Sequence, residues 1–378
     1  MSKTWMTLVL LLGVAVIGSN SLVLSPILTD VANDLGTTPP AVARAIPAYG
    51  GATVLSALFL GVFIDRYGAR AVLIGGALLL AIGTFGSALA ESWITLALAQ
   101  ALCGLAAGVM LPAIYAAATT TIGTPQDGAR VLGRVLTGWS VSLVAGVPLS
   151  ALVAERLGWQ ASFVVLGVLV LLALVGFVRM PPHPPTKKDR AARSAGALRA
   201  FALPGVRVLL LVQFLFMTAF FGDHLRTGLN LSTSMAGVTI LFYGIGFGFA
   251  AIGDGLVDRV GPARVLPIAL GLVAMTYATM PLTAVALLGA FVAAFVWGFA
   301  NHFVLNVIVL RLGDLSGDAH GTVLGLNSAI TYAGASVGPP ALGALYTSKG
   351  FGALALGGAG CVALATAATV MNRWKAVV

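Results

Sequence analysis

The sequence predicts an all-α polytopic membrane protein, with twelve membrane-crossing helices in two similar six-helix bundles. Three observations predict it. The 378-residue chain is 59% hydrophobic and 9% charged, with a mean hydropathy of +1.01, too apolar for a soluble domain to cover. Charge-free runs of membrane-crossing length recur, as at 8–28 and 161–178. The two halves of the chain also repeat each other at an offset near 193. The runs lack the alternation of period two that a membrane barrel needs.

In chain order the expected spans are 5–28, 41–63, 71–90, 94–118, 133–154, 161–179, 206–225, 235–256, 264–283, 285–310, 321–347 and 351–371. The first has Lys3 before it and small residues near Gly18, as a secretory signal would. Its apolar stretch exceeds a signal core and more spans follow, so it reads as a retained helix. The 47 glycines suit close helix contact in lipid. Residues 179–205 are Pro-rich, then basic, and read as a tether. The expected organisation is a bundle over 1–180, a cytoplasmic linker over 181–204 and a second bundle over 205–378. Cys103 and Cys361 fall inside spans and suggest neither a disulfide framework nor a metal site.

The net charge of +9 is a matter of placement. With both termini in the cytoplasm, seventeen Lys and Arg fall inside and four (Arg44, Arg156, Arg226, Lys349) outside. This is the positive-inside bias of a membrane protein and argues against a nucleic-acid partner. The bias fits both ends in the cytoplasm, and the expected location is a bacterial inner membrane.

The repeat is carried by four matches. Tyr49-Gly50 returns as Tyr243-Gly244, and Asp65-Arg66 as Asp258-Arg259. Gly146 in AGVPLSAL matches Gly338 in VGPPALGAL, and LGWQASF matches KGFGALA. Such a repeat implies two bundles related by an axis along the membrane normal. In each half the acid lies beside a glycine, Gly68 or Gly261, at a short turn on the cytoplasmic side. Asp65 can accept hydrogen bonds from a helix N-terminus or pair with a base. Asp65, Arg66, Arg70, Asp258 and Arg259 are therefore candidates for a latch between the halves.

GVFIDRYGAR at 61–70 resembles the G-x-x-x-D-R-x-G-[RK]-[RK] signature of the major facilitator superfamily, with Ala69 at the first basic place. The second copy has Asp254 where that family often has glycine. Residues 144–163 resemble a helix-5 stretch common in bacterial 12-span drug and metabolite exporters. The resemblance implies the major facilitator fold, with helices 1, 4, 7 and 10 around a central cavity and 3, 6, 9 and 12 toward lipid. It also shows two departures: Ser21 stands near the place of a frequent acid, and Gln100 at that of a frequent arginine.

Polar residues inside spans are costly and point to function. The expected substrate contacts are Asn20 and Ser21 in helix 1, Gln100 in helix 4, Gln213 in helix 7, Asn301, His302 and Asn306 in helix 10, and Asn327, Thr331 and Tyr332 in helix 11. His302 and Asn306 are four apart and share a face. Histidine changes charge nearest neutral pH, so His302 is read as a substrate contact or proton exchanger, or as a neutral histidine bonded across to Asn327. Asp223, His224 and Arg226 are expected near the outer end of helix 7 as a gate, engaging Asp30, Asp34 or Arg44. Asp223 is also a candidate proton carrier. Tyr115, Trp139 and Tyr277 are candidates for an aromatic pocket, or are packing residues.

The expected function is secondary active transport of a small organic molecule or drug by alternating access, as proton-coupled export, with uptake or uncoupled passage as the alternative. No nucleotide-binding loop of the Walker type appears, and no HExxH or GxSxG, so neither ATP drive nor an enzyme is indicated. No cofactor is expected beyond an ion gradient, and no partner beyond substrate and lipid. The chain is read as a monomer.

Overall fold

The structure is a computed structural model that describes residues 2–119, 128–181, 197–220, 233–283, 286–317 and 319–373. Every regular element among the described residues is helical. α1 is Lys3–Leu22, continued past a bend at Val23 by Leu24–Asp34. α2 is Ala45–Leu60, continued by Val62–Tyr67. α3 is Ala69–Ala88 and α4 is Trp93–Ala117. α5 is Gly128–Val141, a π-helical turn Ser142–Gly146, then Val147–Leu157. α6 is Trp159–Arg179 and α7 is Val206–Thr218. α8 is Thr233–Ala250, a 3-10 turn Ala251–Gly253, then Asp254–Val260. α9 is Pro262–Thr283 and α10 is Leu287–Leu315. The stretch His320–Arg373 breaks at Gly350 (φ 80°) into α11, 320–349, and α12, 351–373.

Among the described residues ten continuous helices are long and apolar enough to cross a membrane. One of them is the joined α11–α12 stretch, and the shorter α7 completes the twelve expected spans. Several helices outrun the sequence-based spans: α1 reaches Asp34, α8 reaches Val260 and α10 reaches Leu315. Hydropathy marks the length that faces lipid, whereas the backbone ladder runs on until a glycine or a cap ends it. The tether is described only at its ends, where Ala197–Phe201 is a short helix with Ala200 buried.

Two pairs of glycines make the short turns. Gly68 and Gly261 (φ 82° and 90°) separate α2 from α3 and α8 from α9. Gly158 and Gly350 (φ 87° and 80°) separate α5 from α6 and α11 from α12. Only glycine adopts these angles without strain. The π-helical turn precedes Pro148, which has no N–H to give the preceding turn, so the widened ladder accommodates it.

The packing is two-fold. α2 and α3 pack on α4, α1 packs on α5, and α3 packs on α6. The second half answers with α8 and α9 on α10, α7 on α11, and α9 on the α11–α12 stretch. Close approach is set by glycine at matching places. A methyl group on Gly104 would strike the Tyr49 carbonyl, and one on Gly298 the Tyr243 carbonyl. The outer surface carries exposed large apolar residues, among them Phe59, Leu98, Leu172, Ile268 and Leu288, as helices facing acyl chains require.

The halves meet in a crossed pattern. α11 packs along α2 and α4, and α5 packs along α8 and α10. Exchanging each helix for its counterpart six places away in the other half (α5 for α11, α8 for α2, α10 for α4) turns the second contact into the first.

Candidate functional site

The first seam, α2 against α11, is glycine-lined. A methyl group at Gly61 would press on Gly321 and Gly325, and one at Gly325 on the Ala57 carbonyl. This intimacy brings the end of α2 onto the start of α11. The Asp65 carboxylate accepts hydrogen bonds from the backbone N–H groups of Gly321 (2.6 Å) and Thr322 (2.9 Å), and from the Thr322 hydroxyl (2.7 Å). A helix start leaves such N–H groups without intrahelical partners and carries partial positive charge. The acid therefore caps a helix of the other half. Nearby, the Thr119 hydroxyl and His320 Nε2 lie 3.2 Å apart, linking the end of α4 to α11. The basic members of the turn stay within the first half. Arg70 donates to the Val178 carbonyl (2.6 Å) in the last turn of α6, and Arg66 lies over the Tyr67 ring.

The second seam, α5 against α8, is built from the same places with different chemistry. Asp254 stands in the repeat where Gly61 stands, and its side chain is sealed (0% exposed) against Gly133 of α5, where a methyl group would overlap the carboxylate. His302 stands where Gly108 stands, and it too is 0% exposed. His302 Nε2 lies 3.0 and 3.1 Å from the two Asp254 oxygens, and the Asn306 amide donates to Oδ1 at 2.7 Å. The imidazole is held edge-on against Phe247 and Phe303. Further along the seam, the Ser140 hydroxyl donates to the Gly244 carbonyl (2.5 Å).

Residues 10–339 match the family model described as Major Facilitator Superfamily. The chain belongs to the major facilitator superfamily. An uncharacterized MFS-type transporter, YwfA of Bacillus subtilis (strain 168), is 30% identical over 362 residues, 93% of this chain and 88% of that protein. A chloramphenicol resistance protein of Streptomyces lividans is 26% identical, over 80% of this chain and 79% of its own length. Two solved structures share the fold. The human organic anion transporter MFSD10 (TETRAN) has a TM-score of 0.80 at 16% identity, covering 98% of this chain and 100% of its own. The E. coli fucose:proton symporter FucP has a TM-score of 0.81 at 14% identity, covering 98% and 99%.

Within this major facilitator fold the residues expected around a central cavity divide. Asn20 and Gln100 turn toward α3. Asn20 donates to the Thr84 hydroxyl (2.9 Å) and Gln100 to the Ser87 hydroxyl (3.0 Å), both buried. A buried amide takes the nearest hydroxyl, and for both residues α3 supplies it. Ser21 bonds its own helix at the Gly18 carbonyl. Gln213 of α7 donates to the Thr331 hydroxyl of α11 (2.7 Å), which bonds the Asn327 carbonyl one turn back. Asn301 donates to the Tyr243 hydroxyl (3.0 Å). Tyr332 is half-buried on α11. His302 pairs with Asp254 and not with Asn327, which corrects the expected cross-helix bond.

Tyr115 and Trp139 join through a 3.2 Å hydrogen bond between α4 and α5, whereas Tyr277 packs edge-on against Trp297 inside the second bundle. The candidate aromatic trio is thus split between the halves. At the far end Asp30 is exposed, and Arg44 lies 5.0 Å over the Trp93 ring, held within the first half. Asp34 accepts from Trp159 and Gln160, both at 2.8 Å. Asp223, His224 and Arg226 lie outside the described residues. Asp258 is half-buried and Arg259 exposed at the turn.

The sequence marks Asp254 as an exchange for glycine but does not place it among the candidate site residues, since it lies four residues before Asp258 of the surface turn. The available signal was its place in the repeat: an acid exchanged for a glycine that faces another helix.

Proposed function

We propose that this protein is a secondary transporter that exports a small organic molecule from a bacterial cell, driven by the proton gradient. Its two halves rock about a central site in the bilayer. The carrying observation is the pair of crossed seams: α2–α11 and α5–α8 touch through glycines, with the Asp65 carboxylate capping α11 at the end that bears its turn and the Ser140–Gly244 bond further along. Surfaces joined through small residues and a helix cap can part and re-form without unpacking either bundle. The positive-inside bias supports that end facing the cytoplasm, with the chain in the inner membrane. Substrate is met from both halves, with Tyr115 and Trp139 on one side and Gln213, Asn327, Thr331 and Tyr332 on the other. The chloramphenicol resistance relative and a 24% identical probable sugar efflux transporter of Mannheimia succiniciproducens support the outward direction. The working unit is a single chain.

Neutral Gln100, bonded to Ser87, favours uptake or uncoupled passage as the second reading. Inside-out vesicles with a panel of labelled amphipathic compounds separate the two. Export predicts accumulation that collapses when a protonophore is added. Movement only down a substrate gradient, indifferent to pH, supports the second reading. No movement of any compound contradicts both.

A further inference from the structure

We infer that Asp254 and His302 form the proton-binding site of the cycle, and that the α5–α8 seam controls its access to water; the inference rests on the transporter reading above. The pair sits at 0% exposure, with His302 Nε2 3.0 Å from the Asp254 carboxylate. Held by a neutral histidine and by Asn306, the carboxylate leaves the site with a net charge of −1 in a dry interior, which is costly. One added proton makes the site neutral, whether it rests on the carboxylate or completes an imidazolium. The geometry provides a place for it. With Nε2 facing the carboxylate, His302 Nδ1 is buried without a hydrogen-bond partner. It is a free lone pair in the unprotonated state and a bound proton in the protonated one.

Access follows from Gly133. α5 lies on the carboxylate so closely that a single methyl group there would overlap it. While the seam is shut, water reaches neither side chain. When α5 moves off α8, the same movement that opens this end bares Asp254. Proton exchange with this side is therefore confined to the open state, and the bound proton favours closure because burial favours the neutral site. The charges that face it are accounted for: Asp258 one turn on along α8, and from α5 Arg130 against Gly255 and exposed Arg134. The first-half seam holds Gly61 and Gly108 at the matching places, so this chemistry belongs to one seam only.

The test places spin labels on Arg134→Cys of α5 and Val260→Cys of α8, with Cys103 and Cys361 replaced by Ser and the full chain in lipid vesicles. As pH is raised from about 5 to about 9, across the range in which histidine changes charge and into which burial can raise a carboxylate, the population should move from the short to the long distance. Asp254→Asn, neutral throughout, should hold the short distance at every pH. His302→Gln should also remove the pH response, and it decides the matter if Asp254→Asn does not fold. A pH response that persists unchanged in either folded variant overturns the inference. Two populations whose ratio ignores pH in the parent chain also overturn it, while leaving the rocking of the halves intact.

Discussion

The Asp65 carboxylate accepts a 2.6 Å hydrogen bond from the backbone N–H of Gly321, 256 residues away in the other half of the chain. With the two bonds from Thr322 it caps α11 from outside its own bundle. Bonds to a charged acceptor contribute about 1.5–3 kcal/mol each at most, and a helix start adds a favourable field. Asp65→Asn keeps an acceptor oxygen and removes the charge. Amide hydrogen exchange in the first turn of α11 should then rise roughly tenfold, the equivalent of about 1.4 kcal/mol. Unchanged exchange at Gly321 and Thr322 would show that the cap does not hold the seam.

Gly133 and Gly271 make a matched pair of controls. A methyl group at Gly133 overlaps the Asp254 carboxylate, and one at Gly271 meets nothing within 4 Å. Gly133→Ala should cost about 1–3 kcal/mol through overpacking, and Gly271→Ala close to nothing. Thermal unfolding in detergent checks both. Equal melting temperatures for the two variants would mean that α5 does not press on α8 in this way.

Gln100 and Asn20 each bond a hydroxyl of α3 within the first bundle. A double-mutant cycle between Gln100→Leu and Ser87→Ala should give a coupling of about 0.6 kcal/mol, the usual size for such bonds inside membranes. The apparent affinity for a transported compound should stay within about twofold, since one added or lost contact to substrate shifts it by more. A large change in affinity with no loss of stability would return Gln100 to the substrate chamber.

Much of the fold was legible because the bilayer imposes one length and one polarity on every crossing segment. The twelve spans, the glycine turns at Gly68 and Gly261, and the repeat are all visible in the residues. Asp65 was visible too, because an acid beside a turn glycine recurs at Asp258. The site was less legible for two physical reasons. Polar side chains in lipid bond whatever hydroxyl lies nearest, so Asn20 and Gln100 mark a helix contact as readily as a binding surface. Asp254 is four residues from a surface acid, and one turn of helix is enough to carry it from water to the interior. Only comparison of the halves, position by position, separates it from Asp258.

The most direct test of the rocking of the halves measures two distances under the same conditions. Spin labels on Tyr67→Cys and Val260→Cys report the end with the Asp65 turn, and labels on Thr38→Cys and Lys349→Cys report the far end, each pair in a chain lacking Cys103 and Cys361. Alternating access predicts opposed changes: conditions that lengthen the first distance shorten the second, and Asp65→Asn shifts both toward that state. Distances that stay fixed at both ends, or that lengthen together, would contradict it.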